Sequence, residues 1–518
     1  MRYLSLLICI LTAVIGSLYG QNKPFFIDLK NSSVGPDYYL TATFSTNVNQ
    51  DEVIYINNTG PSWQLNLKYY FSKIIHSKKN GNIIKEIDLN DGNRRCLWSV
   101  GENLGDQIIA MSYIYSTDSI YLKVRNFDKS MNLLAAHTFP ITTFTSLHAL
   151  QVADNITTMR CKDDNGNLYI LLISLLDDRS VHCLSLRPDG TIIKFAIFEA
   201  LLGATEVNGL YYDKLENNIV YINSNKLKLV IDKDFKIIKT VDLTKDNDPL
   251  HVNDTLSGWA MCYINADDTI VRLDKALIKY HFNPNEPADY FYYQGMMLSY
   301  ADRNGSITPP FYYDTLAISV DSEGIPRLSG GLFYRDSFYY TYFEYSLPSI
   351  NSNIGNRTIL SKFNRNLNLV DQAIFVVNPD YRLYTLWAEL TEDNSFIGSG
   401  YYFNLAKANP FTDGGSFVIG YKADGTPPTL QSHSPFIQAI FVVKGNPTSQ
   451  YLIIETDEAK AQNYEVKILD TQGRPVKSSS SWSQGRISID MRGEKPGVYL
   501  YHIFDNGKPI TGGKFVKI

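Results

Sequence analysis

From Phe25 to Gln438 the chain runs in short stretches thick in Tyr, Ile, Val, Phe and Thr, broken by clusters of Asp, Asn and Gly. Extended helical periodicity is absent, so the pattern predicts an all-β region of half-buried strands. Two turn signatures alternate. The first, apolar strand, polar turn, apolar strand, is clearest at Leu184–Ile193, Val230–Leu243 and Ser361–Gln372. It recurs at Ser77–Ile84, Asn126–Leu134, Ala301–Ile307 and Tyr421–Thr426. The second is a turn feeding a strongly β-prone strand. It stands at Ser45–Ile56, Tyr115–Val124, Lys162–Leu172, Tyr212–Ile222, Asn265–Leu273, Ser319–Gly330 and Glu389–Gly400.

Two hairpins per unit make four strands, and units that begin roughly 45–75 residues apart match the period of propeller blades. Seven copies of each turn predict a seven-bladed β-propeller over residues 21–438, the alternative being an array of β-sandwiches with similar turns. A lone four-stranded sheet buries too little apolar area, whereas radial stacking covers both faces of each sheet. The strand-like Phe25–Lys30 is expected to close the ring by completing the last blade beside Ser416–Tyr421.

Residues 1–20 change the picture of where this chain goes. Arg2, an apolar run from Leu4 to Ile15 and small residues before Gln21 read as a secretory signal peptide, too short to cross a bilayer. No later stretch is long and apolar enough to span a membrane as a helix. With 48 Lys and Arg against 53 Asp and Glu there is no basic excess to attract phosphate backbones, so nucleic acid is not expected as a partner. Cys96, Cys161, Cys183 and Cys262 allow three disulfide pairings, and none has zinc-ligand spacing.

From Ile440 the charge reverses: residues 440–518 hold 11 basic and 8 acidic side chains, against 36 and 45 in residues 21–439. Alternating strands at YLIIET, YEVKILD, ISIDM and VYLYHIF predict a small immunoglobulin-like sandwich over 440–518. Its marks are Asn446-Pro447, a turn at Asp470, Gly473 and Arg474, then Pro496, Gly497 and Tyr499, and a last strand carrying Lys514 and Lys517. In this order they resemble the type A C-terminal sorting domain of the Bacteroidota type IX secretion system. The family opening often has Pro before Asn-Pro, where this chain has Gly445. The resemblance implies two partners, the type IX machinery and its sortase, and delivery to the outer-membrane surface or beyond. The lysine-ended strand is expected to leave an exposed basic terminus.

No metalloprotease, serine-elbow or phosphate-loop motif is present, and no cofactor or metal is implied by the residues. The Asp-rich stretches Lys162–Asn167 and Asp88–Asn93 read as turns before calcium loops. Aromatic clusters offer the candidate ligand-binding residues Tyr292, Tyr293, Tyr312, Tyr313, Tyr339 and Tyr340, which could stack on a glycan or fill a protein pocket if carried on rim loops. The alternative for these rings is packing between blades. The sequence therefore points to a propeller binding a glycan or protein, with a hydrolase or lyase of polysaccharide or peptide at the propeller mouth as the other reading.

Overall fold

The structure is a computed structural model describing residues 25–518 apart from 31–37, 50, 62–70, 93–94, 117–118, 142–156, 174–180, 199–206, 224–226, 243–254, 267–268, 282–289, 302–306, 320–326, 347–356, 378–379, 392–394, 405–413, 423–436, 445, 457–460, 462 and 471–472. The signal segment 1–20 lies outside the described residues.

Strand β1 (Phe25–Lys30) is followed by antiparallel meanders of four. The first is β2 (Tyr38–Asn47), β3 (Glu52–Pro61), β4 (Phe71–Lys78) and β5 (Ile83–Asp88). The second is β6 (Arg95–Asn103), β7 (Gln107–Ser116), β8 (Ser119–Asp128) and β9 (Leu133–Ile141). The third is β10 (Thr157–Lys162), β11 (Leu168–Ile173), β12 (Val181–Leu186) and β13 (Ile192–Phe198), and the fourth β14 (Val207–Asp213), β15 (Asn218–Asn223), β16 (Leu227–Ile231) and β17 (Ile237–Asp242). The fifth is β18 (Thr255–Ala266), β19 (Thr269–His281), β20 (Tyr290–Ala301) and β21 (Ile307–Ser319). The sixth is β22 (Arg327–Arg335), β23 (Phe338–Ser346), β24 (Arg357–Phe363) and β25 (Leu369–Val377). The last holds β26 (Tyr381–Leu390), β27 (Ser395–Asn404) and β28 (Gly415–Lys422), and its fourth strand is β1, paired antiparallel from Phe25 opposite Gly420 to Lys30 opposite Gly415. This is a β-propeller whose first strand closes the ring. The described sheets of the propeller number seven, consistent with seven blades.

Because β1 fills the outer place of blade 7, Tyr421–Thr426 has no fourth strand to feed. Its first residues leave β28, and 423–426 lie outside the described residues. Two other expected turns shift role. Tyr115–Val124 joins the second and third strands of blade 2, and Ser319–Gly330 connects blade 5 to blade 6. The first turn of blade 6 is instead Asp336-Ser337, both at positive φ (51° and 66°), a two-residue hairpin turn that lacks the usual Asn-Gly or Asp-Gly signal.

The described turns between third and fourth strands, in blades 1, 2, 3, 4 and 6, share one geometry. The first turn residue donates its N–H to the carbonyl four positions on, and the fourth residue donates back to the first, as at Asp232 with Lys236 and Phe235. The fourth residue is left-handed: Gly81, Met131, Gly190, Phe235 and Leu367 in blades 1, 2, 3, 4 and 6. Blades 2, 4 and 6 thus place an apolar residue where blades 1 and 3 place glycine. Met131, Phe235 and Leu367 are all buried, each in a cluster with side chains of the preceding blade. Burying such a side chain gains about 1.5–3 kcal/mol, which outweighs a left-handed penalty of about 1–2 kcal/mol. Blades 1 and 3 grip back: Lys85 donates to the carbonyls of Ser130 and Met131, and Lys194 meets Asp234 at 3.2 Å.

The C-terminal module is a two-sheet sandwich. One sheet orders β32 (Pro475–Ser479), β31 (Tyr464–Asp470), β34 (Gly497–Asp505) and β35 (Lys508–Lys517). The other pairs β30 (Tyr451–Thr456) with β33 (Arg486–Asp490) and continues through β29 (Ile437–Lys444) onto β25, the outer strand of blade 6. Strand β29 therefore runs across the boundary expected at 438–440 and belongs to both sheets' hydrogen bonding.

Candidate functional site

The first strand of each blade faces the axis, and from β10 through β14, β18, β22, β26 and β2 to β6 each first strand approaches the next. At the C-terminal ends of β2, β6 and β26, side chains meet across the axis. Arg160 on β10 reaches Glu102 on β6 at 2.7 Å through Nη1 and the carbonyl of Ala388 on β26 at 3.3 Å through Nη2. Its guanidinium carbon lies 3.9 Å from the centroid of the buried Trp387 ring, a cation–π contact. Trp387 is fixed by its indole N–H to the Ser45 carbonyl and by an edge contact with Phe44. Asn103 Nδ2 donates at 2.8 Å both to Thr46 Oγ1 and to Glu389 Oε1, while Lys129 donates to Asn103 Oδ1. The remaining oxygen, Glu389 Oε2, is buried without a hydrogen-bond partner.

Burial pushes the Glu102 carboxyl up to about 7; Arg160 pulls it down and the Glu389 charge raises it further. A carboxyl poised there can exchange a proton near neutrality. Its ion pair, and the engagement of Arg160 on three sides, tie blades 2, 3 and 7 together across the axis. These residues escape sequence reading because Glu102, Arg160 and Glu389 sit on three different blades, with no local spacing to announce them.

A second buried pair joins blades 2 and 3. The Tyr113 hydroxyl and His182 Nδ1 are 2.6 Å apart, and burial lowers the His182 pKa to about 4, so the ring is neutral. The Asp-rich stretches are turns. Asp163 accepts from the amides of Asn165 and Asn167 and from the Asn167 side chain, and lies 3.2 Å from Lys233; Asp91 is held by Tyr121 and Lys123. Among the described residues no group of three His, Cys, Asp or Glu is placed to hold a metal ion. Cys96, Cys161 and Cys183 are free thiols, and the side chain of Cys262 lies outside the described ones.

The aromatic candidates lie on strands. Tyr339 and Tyr340 belong to β23 and are 3% and 1% exposed; Tyr339 packs on Tyr334 and Tyr340 on Phe396 of blade 7. The two-residue Asp336-Ser337 turn keeps them inside the sheet and off any rim loop. Tyr292 and Tyr293 lie on β20, and Tyr312 and Tyr313 on β21, but the register sets the pairs apart: Tyr292 faces Ser319 whereas Tyr312 faces Leu298.

In the C-terminal module the sequence marks act as fasteners. Asn446 Oδ1 accepts from the amide of Val516 at 2.9 Å and its Nδ2 donates to the Lys514 carbonyl, so the start of the module closes on its last strand; Pro447 beside it is exposed. Asp470 takes the amide and the Nε of Arg474 across a turn in which Gly473 has φ +76°. After exposed Pro496 and Gly497, Tyr499 donates to the Lys495 carbonyl and stacks on Phe515. Residues 445–517 match the secretion system C-terminal sorting domain. The sorting domain marks export by type IX secretion, and the protein is delivered to the cell surface or extracellular space. One expectation needs correction: Lys517 is 7% exposed, because β35 turns Phe515 and Lys517 inward and Val516 and Ile518 outward. Lys514 is half-buried.

No curated protein matches the chain. Solved structures similar to it include the AfRom2 CNH domain, at 10% identity over 76% of this chain and 98% of that one (TM-score 0.36). The Dos1 propeller matches at 10% identity over 78% and 97% (TM-score 0.34). The β-propeller domain of the Trilobed protease from Pyrococcus furiosus matches at 10% identity over 76% and 99% (TM-score 0.35).

Proposed function

We propose that this exported propeller is a binding module that docks on a protein partner through its outer rim. The observation that carries the reading is an arc of exposed aliphatic side chains. Directly after the last turn of each of blades 1–4, an Ile or Leu stands in the open: Ile83 and Ile84, Leu133 and Leu134, Ile193, and Ile238, between 46% and 56% exposed. A repeated display at equivalent positions is more than the scattered apolar surface ordinary to a soluble protein. Aliphatic rather than aromatic side chains favour an apolar protein surface over a sugar, whose faces stack on rings. Replacing Ile84, Leu134, Ile193 and Ile238 by Ser together should abolish capture of matrix proteins by the full chain; undiminished capture sinks the rim assignment.

A second reading, a hydrolase or lyase acting on polysaccharide or peptide, has one observation in its favour. Glu102 and Glu389 meet near the axis, one with its carboxyl near 7 and the other with an unpartnered oxygen. Against it stands the Arg160 ion pair, which engages Glu102 within the protein. The candidate tyrosines Tyr292, Tyr293, Tyr312 and Tyr313 belong with this propeller ligand question, and the division into signal (1–20), propeller (21–438) and sorting domain (440–518) is the organisation we assign.

A further inference from the structure

Several surfaces of the sorting domain are already engaged within the chain. Its two inner faces are packed together, with Leu452, Ile454 and Ile489 of one sheet in the same cluster as Val466, Tyr501 and Phe515 of the other. One sheet edge is taken by β29, which carries it into blade 6. The C-terminal edge of β35 is capped within the domain: Thr448 donates to the Val516 carbonyl, Ile518 donates to the Thr448 carbonyl, and Val516 donates to Asn446. A partner strand therefore cannot add along this stretch of β35 without first displacing the segment that opens the domain.

The domain's exposed large apolar side chains gather on the outward face of β34 and β35. Val498 and Val516 are directly opposed there, 43% and 38% exposed, and Ile518 follows on the same side at 60%. The adjoining row runs from Leu469 to Leu500 to Lys514, all half-buried. Five apolar residues with one lysine at the margin make a contiguous patch on a domain that otherwise turns charges outward. Lys517 points the other way, into the fold.

We propose that the type IX export machinery reads this domain by side-chain docking on the Val498–Val516–Ile518 patch, through an apolar receptor surface. Recognition by addition of a strand to β35 is the mode this geometry disfavours. The proposal rests on the export reading and names the surface that serves it.

The test uses the full chain in a Bacteroidota host with a working type IX route, fractionated into periplasm and surface plus medium. Val498→Ser, Val516→Ser and Ile518→Ser combined should leave most of the protein in the periplasm, with at least a tenfold loss from the surface fraction. Ile518→Asp alone, at an exposed position that holds no core, should give a partial loss. Leu215→Ser, at an exposed apolar residue of the propeller outside the rim arc, should export as wild type. Wild-type surface levels of either the triple variant or Ile518→Asp overturn the patch. Deleting residues 445–518 separates the two ideas: normal export of the deletion overturns the sorting role itself, whereas blocked export of the deletion with normal export of the patch variants overturns the patch alone. Truncation from Lys514 is less informative, since it also removes Phe515 from the core.

Discussion

The Phe235 ring stands edge-on to Tyr169, centroids 6.1 Å apart and planes at 81°. Phe235 lies in a turn of blade 4 at φ 61°, and Tyr169 lies in the second strand of blade 3. A strained turn residue thus acts as a plug for the neighbouring sheet. Phe235→Ala removes the plug and keeps the left-handed backbone, so it should cost about 3–5 kcal/mol in denaturant unfolding. Phe235→Gly relieves the backbone and should cost about 1 kcal/mol less. Equal losses in the two variants would show that the backbone is not strained.

Glycine at the corresponding place in blade 3 has a different reason. A Cβ on Gly190 (φ +77°) would clash with Asn126 Nδ2 and stand 2.7 Å from Gln107 Oε1, whereas one on Gly92 (φ +63°) meets nothing within 4 Å. Gly92→Ala should therefore cost only the left-handed penalty, about 1 kcal/mol, and Gly190→Ala about 2–3 kcal/mol once the Asn126–Gln107 bond is disturbed. Thermal melts of the two variants decide it.

Two buried groups give stability opposite pH slopes. The Glu102 pKa rises on folding from 4.5 to about 7, so the folded chain binds more protons in that window and stability falls as pH rises through it. The His182 pKa falls from 6.5 to about 4, so the unfolded chain binds more protons there and stability falls as pH drops through that window. Glu102→Gln should gain in melting temperature relative to wild type between pH 5 and pH 8, and His182→Gln should flatten the acid side. A pH-independent offset for Glu102→Gln would mean that the carboxyl stays ionised across the range.

Ring closure through β1 predicts that deleting residues 21–31 exposes β28 and the Ile27 site beside Val418 and Ile397, lowering the melting midpoint by roughly 5–10 °C. An unchanged midpoint would remove β1 from the stability of the ring.

Much of the propeller was legible because its turns carry their own chemistry. At Asp232 and Asn364 a side chain caps the turn amides, and Phe25–Lys30 has the alternation of a strand without a local partner. The turn at Asp336-Ser337 was not legible, since its positive φ angles rest on residues less committed to them than glycine. That is why Tyr339 and Tyr340 look like loop aromatics in the sequence and lie inside the sheet. The sorting marks were legible because Asn446, Asp470 and Tyr499 make short-range or terminal fastenings. The side on which Lys517 falls depended on the register of β35. The cluster of Glu102, Arg160, Trp387 and Glu389 is created by ring closure and has no signature along the chain.

The central claim, an exported binding module rather than an enzyme, is tested most directly by incubating the purified full chain with glycans and matrix proteins and measuring both retention and ligand mass. The account predicts retention of a protein ligand at unchanged mass, lost when Ile84, Leu134, Ile193 and Ile238 become Ser and kept in Glu389→Gln. A ligand whose mass changes with wild type but not with Glu389→Gln would contradict it and place chemistry at the propeller axis.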